Sequence, residues 1–141
     1  MKTTTLMIIA ATGLALGGCN KAETPAEVQQ DVAKAQAEGN RDVADVRADA
    51  QKDSIDAGAD VTKAAADHNV NDVIDQAHEA DKVAAKGDAR IQLAQAEAAH
   101  KVAIEKCEAI SGEAQKECKD RADAGLDTAK KHEEMSREAA R

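Results

Sequence analysis

The stretch that decides the fold reads CEAISGEAQKEC and covers residues 107–118. In a continuous helix its two cysteines would lie about 16 Å apart along the axis, whereas a disulfide requires Cα atoms within about 7 Å. A helical hairpin that turns at Ser111-Gly112 brings them together, because Gly112 can adopt the left-handed conformation that ends a helix. The stretch therefore predicts a C-terminal hairpin in which Cys107 is bonded to Cys118. An intermolecular disulfide and two free thiols are the alternatives.

The residues after the turn predict the second arm of this hairpin. Small and apolar residues recur there at every fourth position, which places them on one face of a helix. The unit formed by the hairpin turn and the C-terminal helix is predicted to cover residues 111–141. Its helical stripe consists of Ala114, Cys118, Ala122 and Leu126.

The composition favours helix but provides little material for a core. The chain has no Phe, Tyr or Trp, and after residue 18 it has only nine Val, five Ile, two Leu and one Met. About a quarter of the residues are Ala, the strongest intrinsic helix former. Long helices of this kind gain their stability from pairing. The predicted fold class is all-α, with extended Ala-rich helices, a C-terminal helical hairpin, little or no globular core and an N-terminal signal helix.

The first helix of the main region is predicted to begin at Pro25. Thr24 can cap it, proline suits the first helical position, and Glu27 completes a capping box. From there an extended helical region is predicted over residues 25–110. Breaks are expected at four places, three of which contain a glycine, a residue that disfavours a helix interior. These lie near residues 39–40, 58, 69–71 and 87.

An eleven-residue repeat runs through the first half of this region. Residues 31–41, 42–52 and 53–63 form three blocks that each open with Asp and close with a basic residue. Eleven residues correspond to about 3.67 per turn, so one face of the helix stays aligned along the repeat. Chance in a low-complexity chain is the alternative. In composition the segment resembles the eleven-residue helical repeats of desiccation-protective proteins.

The N-terminus has the layout of a secretory signal. Lys2 precedes an apolar stretch over residues 6–16 that is well short of the roughly 20 residues of a membrane-spanning helix. The run LGGC at residues 16–19 resembles the lipobox of bacterial lipoproteins. That resemblance implies a signal peptide over residues 1–18, a lipid on Cys19 and a lipidated tether over residues 19–24. An ordinary signal peptide or a short buried helix with an incidental cysteine is the alternative.

Location and partners follow from the same resemblance. In lipoproteins of this type acyl chains bury enough CH2 groups for stable anchoring, so the membrane is an expected partner. Asn20 at the second position implies the periplasmic face of the outer membrane. An envelope protein or a second copy of the chain is the other expected partner.

Charge and motif content exclude several functions. The net charge is −8, or −9 once Lys2 is removed with the signal, so we expect no nucleic-acid partner. The four histidines lack ligand spacing, and we expect no metal. Without a phosphate loop or a nucleophile elbow, we expect no catalytic residues, no cofactor and no enzyme activity.

Two further resemblances are to envelope proteins. Residues 106–118, KCEAISGEAQKEC, resemble a stretch in small, uncharacterised, Ala/Lys-rich periplasmic proteins of proteobacteria. That resemblance implies a periplasmic helical protein with paired cysteines and brings no activity. The whole chain also looks like the small Ala-rich lipoprotein that braces the outer membrane, but it ends in Arg141 where that family has an attachment lysine. We therefore expect a lipid-anchored helical spacer or interaction scaffold without catalysis. A stress-protective, partly disordered helical protein is the alternative.

Overall fold

The part of the chain that the structure describes forms three long helices. The computed structural model describes residues 22–141, and within them there is no strand. The helices are α1 (Pro25–Ala66), α2 (Val70–Cys107) and α3 (Glu113–Ala139). The all-α class predicted from the sequence is therefore confirmed. The predicted signal peptide with its signal helix, Cys19 and the first part of the tether lie outside the described residues.

The central helix is α2. Both α1 and α3 pack on it, whereas α1 and α3 have no Cα atoms within 8 Å of each other. Short turns at both ends of α2 make each neighbour antiparallel to it. The region 25–110, predicted as an extended helical region, is thus a long hairpin of its own, and α3 adds the predicted C-terminal hairpin. With a rise of 1.5 Å per residue, α1 is about 63 Å long and α3 about 40 Å.

The first helix begins where the sequence predicts. The Thr24 hydroxyl accepts a hydrogen bond from the Glu27 N–H at 3.4 Å, and the Thr24 N–H donates to Glu27 Oε2 at 2.9 Å. This is a complete capping box, with Pro25 as the first helical residue. Two backbone N–H groups that would lack partners are thereby satisfied.

Of the four predicted breaks, only the one near residues 69–71 is present. There the chain turns at residues 67–69, with His68 at a φ of 56° and the Asn69 side chain accepting from the Asp72 N–H. The breaks predicted near residues 39–40, 58 and 87 are wrong, because α1 and α2 run through them without interruption. Gly39 and Gly87 face the neighbouring helix at close range, so tight packing offsets their low helix propensity.

The eleven-residue repeat is a packing pattern. In the first two blocks, the second, fifth and ninth positions, counted from the opening Asp, are all buried or half-buried. In the third block, the fifth and ninth positions are half-buried. These positions form a single face of α1, and within residues 22–141 α2 is the only helix packed against α1. Spacings of three, four and four residues keep this face aligned along the helix. Its members are Val32, Ala35, Gly39, Val43, Val46, Ala50, Ala57 and Val61.

The core is thin, as the composition predicts. In the described residues its buried apolar members are mostly alanines, and Cys107 is the largest side chain with no exposed surface. Interfaces between such small side chains bury little apolar area per residue. Stability must therefore come from the length of the helix pairs and from the crosslink.

Candidate functional site

The two cysteines near the C-terminus form a disulfide. The Cys107 and Cys118 sulfurs are 1.95 Å apart, and their Cα atoms are 5.7 Å apart. Cys107 is the last residue of α2 and is completely buried, while Cys118 lies in the second turn of α3. The bond fixes the start of α3 against the end of α2.

The turn between these helices differs from the predicted one. The helix that was expected to reach Ile110 ends at Cys107, with Glu108 as its C-cap. Gly112 is the residue before α3 and has a φ of 69° and a ψ of −144°. This extended conformation with positive φ is almost restricted to glycine, so Gly112 is required by the turn although it does not cap α2.

Polar contacts hold this turn in place around Glu108. The Gln115 amide donates to Glu108 Oε2 at 2.6 Å, and the Lys119 ammonium lies 2.6 Å from Glu108 Oε1. Both carboxylate oxygens of one side chain therefore bind residues of α3.

The start of α1 lies beside the same turn. The Glu23 N–H donates to the Glu108 carbonyl at 2.9 Å. We call this end of the molecule, residues 22–25 with residues 107–118, the turn end. Cys19 precedes Glu23 by only four residues. The opposite end is formed by the turn between α1 and α2.

Three carboxylates converge next to the turn end. One oxygen each from Glu23, Asp31 and Glu105 lie within 4.8 Å of one another. Within residues 22–141 this is the one group of acidic, His or Cys side chains whose ligand atoms lie close enough to share a metal ion. Carboxylate oxygens are the ligands that Ca²⁺ and Mg²⁺ prefer.

The same proximity perturbs Glu23. Its Oε2 is buried without a hydrogen-bond partner. The pKa of Glu23 is raised above its ordinary value. The largest cause is the loss of solvent around the carboxylate, and repulsion from Asp31, Glu108 and Glu105 adds to it. By contrast, hydrogen bonds from Thr24 lower the pKa of Glu27. One carboxylate at the start of α1 is thus disfavoured in its charged form and the other is favoured.

The repeat explains why Asp31 is among these carboxylates. The Asp residues that open the second and third blocks pair with cations on α2: Asp42 with Lys101 at 2.7 Å and Asp53 with Arg90 at 2.6 Å. Because α1 and α2 are antiparallel, a step of eleven residues towards the start of α1 matches a step of eleven residues towards the end of α2. The position matching Asp31 is therefore Gly112, beyond the end of α2. Asp31 meets carboxylates instead of a cation.

The grooves along the long sides of the described part of the chain are open rather than enclosed. An open groove of about 580 Å³ lies over α2, between α1 and α3. Ala57, Ala80 and Val83 lie along it, with Asp53 and Arg90 paired at its edge. Among the described residues that line this groove there is no Ser, Thr or Cys.

Of the predicted site residues, Cys107 and Cys118 are brought together in a disulfide. Cys19 lies outside the residues that the structure describes. The carboxylate group of Glu23, Asp31 and Glu105 was not predicted, because Glu105 is far from the other two in the sequence and only the α1–α2 hairpin brings it to them. Once the pairing of α1 with α2 is known, the sequence carries one signal for this carboxylate group. The signal is Asp31, the opening Asp of the first block, which has no matching position on α2.

No helix within residues 22–141 is both long enough and apolar enough to cross a membrane. Comparisons of the chain with protein-family models, with curated proteins and with solved structures give no match.

Proposed function

We propose that this protein is a lipid-anchored helical spacer or interaction scaffold of the bacterial cell envelope and that it performs no catalysis. The proposed anchor is Cys19, in the run LGGC. The proposed location is the periplasmic face of the outer membrane.

The hydrogen bond from Glu23 to Glu108 is the observation that supports this proposal most directly. It holds Glu23, four residues after the proposed anchor, against the disulfide-linked turn. A lipid on Cys19 would therefore place the turn end next to the membrane. The α1–α2 hairpin would then extend up to about 63 Å away from the membrane, a length set by α1.

The surface of the hairpin suits such a role. Its long sides carry ion pairs and solvated charges, and its core is made of small residues that allow two helices to run close together over their whole length. This architecture produces length and a defined tip rather than an enclosed site for a small molecule.

The intact mass of the protein isolated from membranes, with and without reduction, tests the anchor. The expected mass is that of residues 19–141 plus a diacylglycerol and a third acyl chain, and reduction should add two hydrogens. Cys19→Ala should abolish the lipid mass and leave the disulfide in place. An unmodified protein that retains residues 1–18 would overturn the proposal.

A stress-protective helical protein is the second candidate. Its support is the small area of apolar surface buried between helices made largely of Ala, which predicts marginal stability in dilute solution. Circular dichroism separates the two candidates. A chain that is mostly helical in dilute buffer fits the spacer, whereas one that becomes helical only on drying or in concentrated osmolyte fits the protective protein.

A further inference from the structure

The end of the molecule opposite the turn end carries an apolar stripe that α3 does not reach. The last residues of α3 lie beside residues 78–85 of α2, where Ala140 is buried. The first two turns of α2 continue beyond that point without α3. We call residues 64–81 the distal tip, which consists of the end of α1, the turn and the start of α2.

Two aliphatic side chains of the distal tip extend the face of α2 on which α3 packs. Ile74 and Val70 lie one and two helical turns before His78, which is next to the end of α3, so all three share one side of α2. Ile74 is 49% exposed and Val70 is 71% exposed. They are the exposed large aliphatic residues on this part of the helix, and within the described chain no other helix covers them.

The distal tip is strongly acidic. Residues 64–81 contain five carboxylates and neither Lys nor Arg; Lys63 and Lys82 flank the segment, and Lys82 pairs with Glu79 at 3.4 Å. A second copy of the same tip would bring ten carboxylates together, and like charges at an interface oppose association. The charge therefore disfavours self-association at the tip and favours a cationic partner. The carboxylates belong to Asp67, Asp72, Asp75, Glu79 and Asp81.

The packing of α3 shows which kind of surface this face of α2 accepts. The buried and half-buried residues of α3 alternate at spacings of four and three, the pattern of a helix that packs along another helix. They include Ala122, Leu126 and Ala129. A partner helix with the same spacing could lie end to end with α3 and cover Val70 and Ile74.

We propose that the distal tip binds a cationic amphipathic helix of a partner protein, which lays its apolar side on Val70 and Ile74 while its Lys or Arg residues meet the tip carboxylates. This mode of recognition, an apolar helix face on a complementary helical surface, is common among proteins. The inference rests on the scaffold role proposed above, but the geometry of the tip does not depend on the lipid.

Binding of a fluorescent model helix to the full chain tests the proposal. The probe is a synthetic three-heptad peptide with Leu on one face and Lys on the other, and the readout is fluorescence anisotropy. Replacing both tip residues, Val70→Ser with Ile74→Ser, should weaken binding at least about tenfold, because two aliphatic anchors are lost. Ile55→Ser is the matched control, since Ile55 is 69% exposed on α1, and it should leave binding unchanged.

Three further arms separate apolar docking from attraction by charge alone. A peptide of the same composition with its Leu residues scattered around the helix should bind more weakly than the amphipathic one. A peptide with Glu in place of Lys should not bind. Asp75→Asn with Asp81→Asn should weaken binding more at low salt than at high salt, because exposed charges are screened.

Several outcomes would overturn the proposal. Equal binding of the amphipathic and scattered peptides would show that charge alone attracts them, and an equal loss in Ile55→Ser would show that the tip is not the site. A dimer that the Val70→Ser, Ile74→Ser variant dissociates would make the tip a contact between copies. Because these measurements do not depend on acylation of Cys19, they can fail while the anchor is confirmed, or the reverse.

Discussion

Gly39 of α1 and Ala98 of α2 approach so closely that a Cβ atom on Gly39 would lie 2.5 Å from the Cβ of Ala98. A second contact of the same kind joins Gly87 of α2 to Ala50 of α1, where the corresponding distance is 3.2 Å. The two contacts are eleven residues apart on each helix, so the repeat and the close approach share one register. Glycine is therefore a packing residue in this hairpin.

Gly39→Ala should destabilise the protein although alanine is the better helix former. The added methyl group must push α1 away from α2, and overpacking of this kind costs about 1–3 kcal/mol. Gly58→Ala is the control, because a Cβ there meets nothing within 4 Å. It should stabilise by up to about 1 kcal/mol through helix propensity. Urea unfolding measures both, and a Gly39→Ala variant as stable as Gly58→Ala would contradict the close contact.

The phase of the eleven-residue repeat can be tested with alanine-to-leucine changes. Ala50, at the ninth position of its block, is buried against Gly87, whereas Ala48 in the same block is exposed. Ala50→Leu should lower the free energy of unfolding by about 1–3 kcal/mol, and Ala48→Leu should change it little. Thermal unfolding monitored by circular dichroism compares the two. If Ala48→Leu lowered the free energy of unfolding more than Ala50→Leu, the assignment of the face of α1 that packs on α2 would be wrong.

Removal of the disulfide should release α3 before it affects the other helices. The crosslink closes a loop of about a dozen residues and contributes roughly 3 kcal/mol in the chain-entropy model. In Cys107→Ser with Cys118→Ser, hydrogen exchange should speed up in α3 and remain slow in the middle of α1. Reduction of the natural protein should have the same effect, and reductant should not change the double variant further. Uniformly faster exchange in all three helices would mean that the chain unfolds as one unit.

Glu23→Gln should stabilise the protein at neutral pH. Because the pKa of Glu23 is raised in the folded state, its favourable contribution is present at acidic pH, where the carboxyl is protonated, and is lost as the pH rises through the folded pKa. An uncharged amide removes that loss at pH 7. In acid, below the raised pKa, Glu23 is protonated and uncharged, so the variant and the natural protein should be similar there.

Glu27→Gln provides a control of opposite sign. The pKa of Glu27 is lowered by Thr24, so its contribution is present above the unfolded pKa and is lost as the pH falls through the folded value. This variant should be less stable than the natural protein at pH 7 and similar to it in acid. Thermal unfolding across the pH range measures both changes. If both variants changed the stability in the same direction at pH 7, the opposite pKa shifts of Glu23 and Glu27 would be contradicted.

Local sequence chemistry predicts the helices of this protein but not how they pair. Thr24 and Glu27 determine the start of α1 because a capping box lies within one turn. By contrast, the expectation that Gly39 and Gly87 interrupt helices was wrong, since their role depends on a helix that is distant in sequence. The acidic group of Glu23, Asp31 and Glu105 could not be predicted for the same reason.

The sequence by itself determined the all-α class, the helix start at Pro25, the turn near Asn69 and the cysteine spacing that allows the second hairpin. It also carried the eleven-residue period that aligns one face of α1. Only the tertiary structure decided that α2 lies between the other two helices. It also decided which Asp residues pair with Lys or Arg and which apolar side chains stay exposed. The physical reason is range: capping and periodicity act within a few residues, whereas the register between two helices follows from side-chain contacts along their whole length.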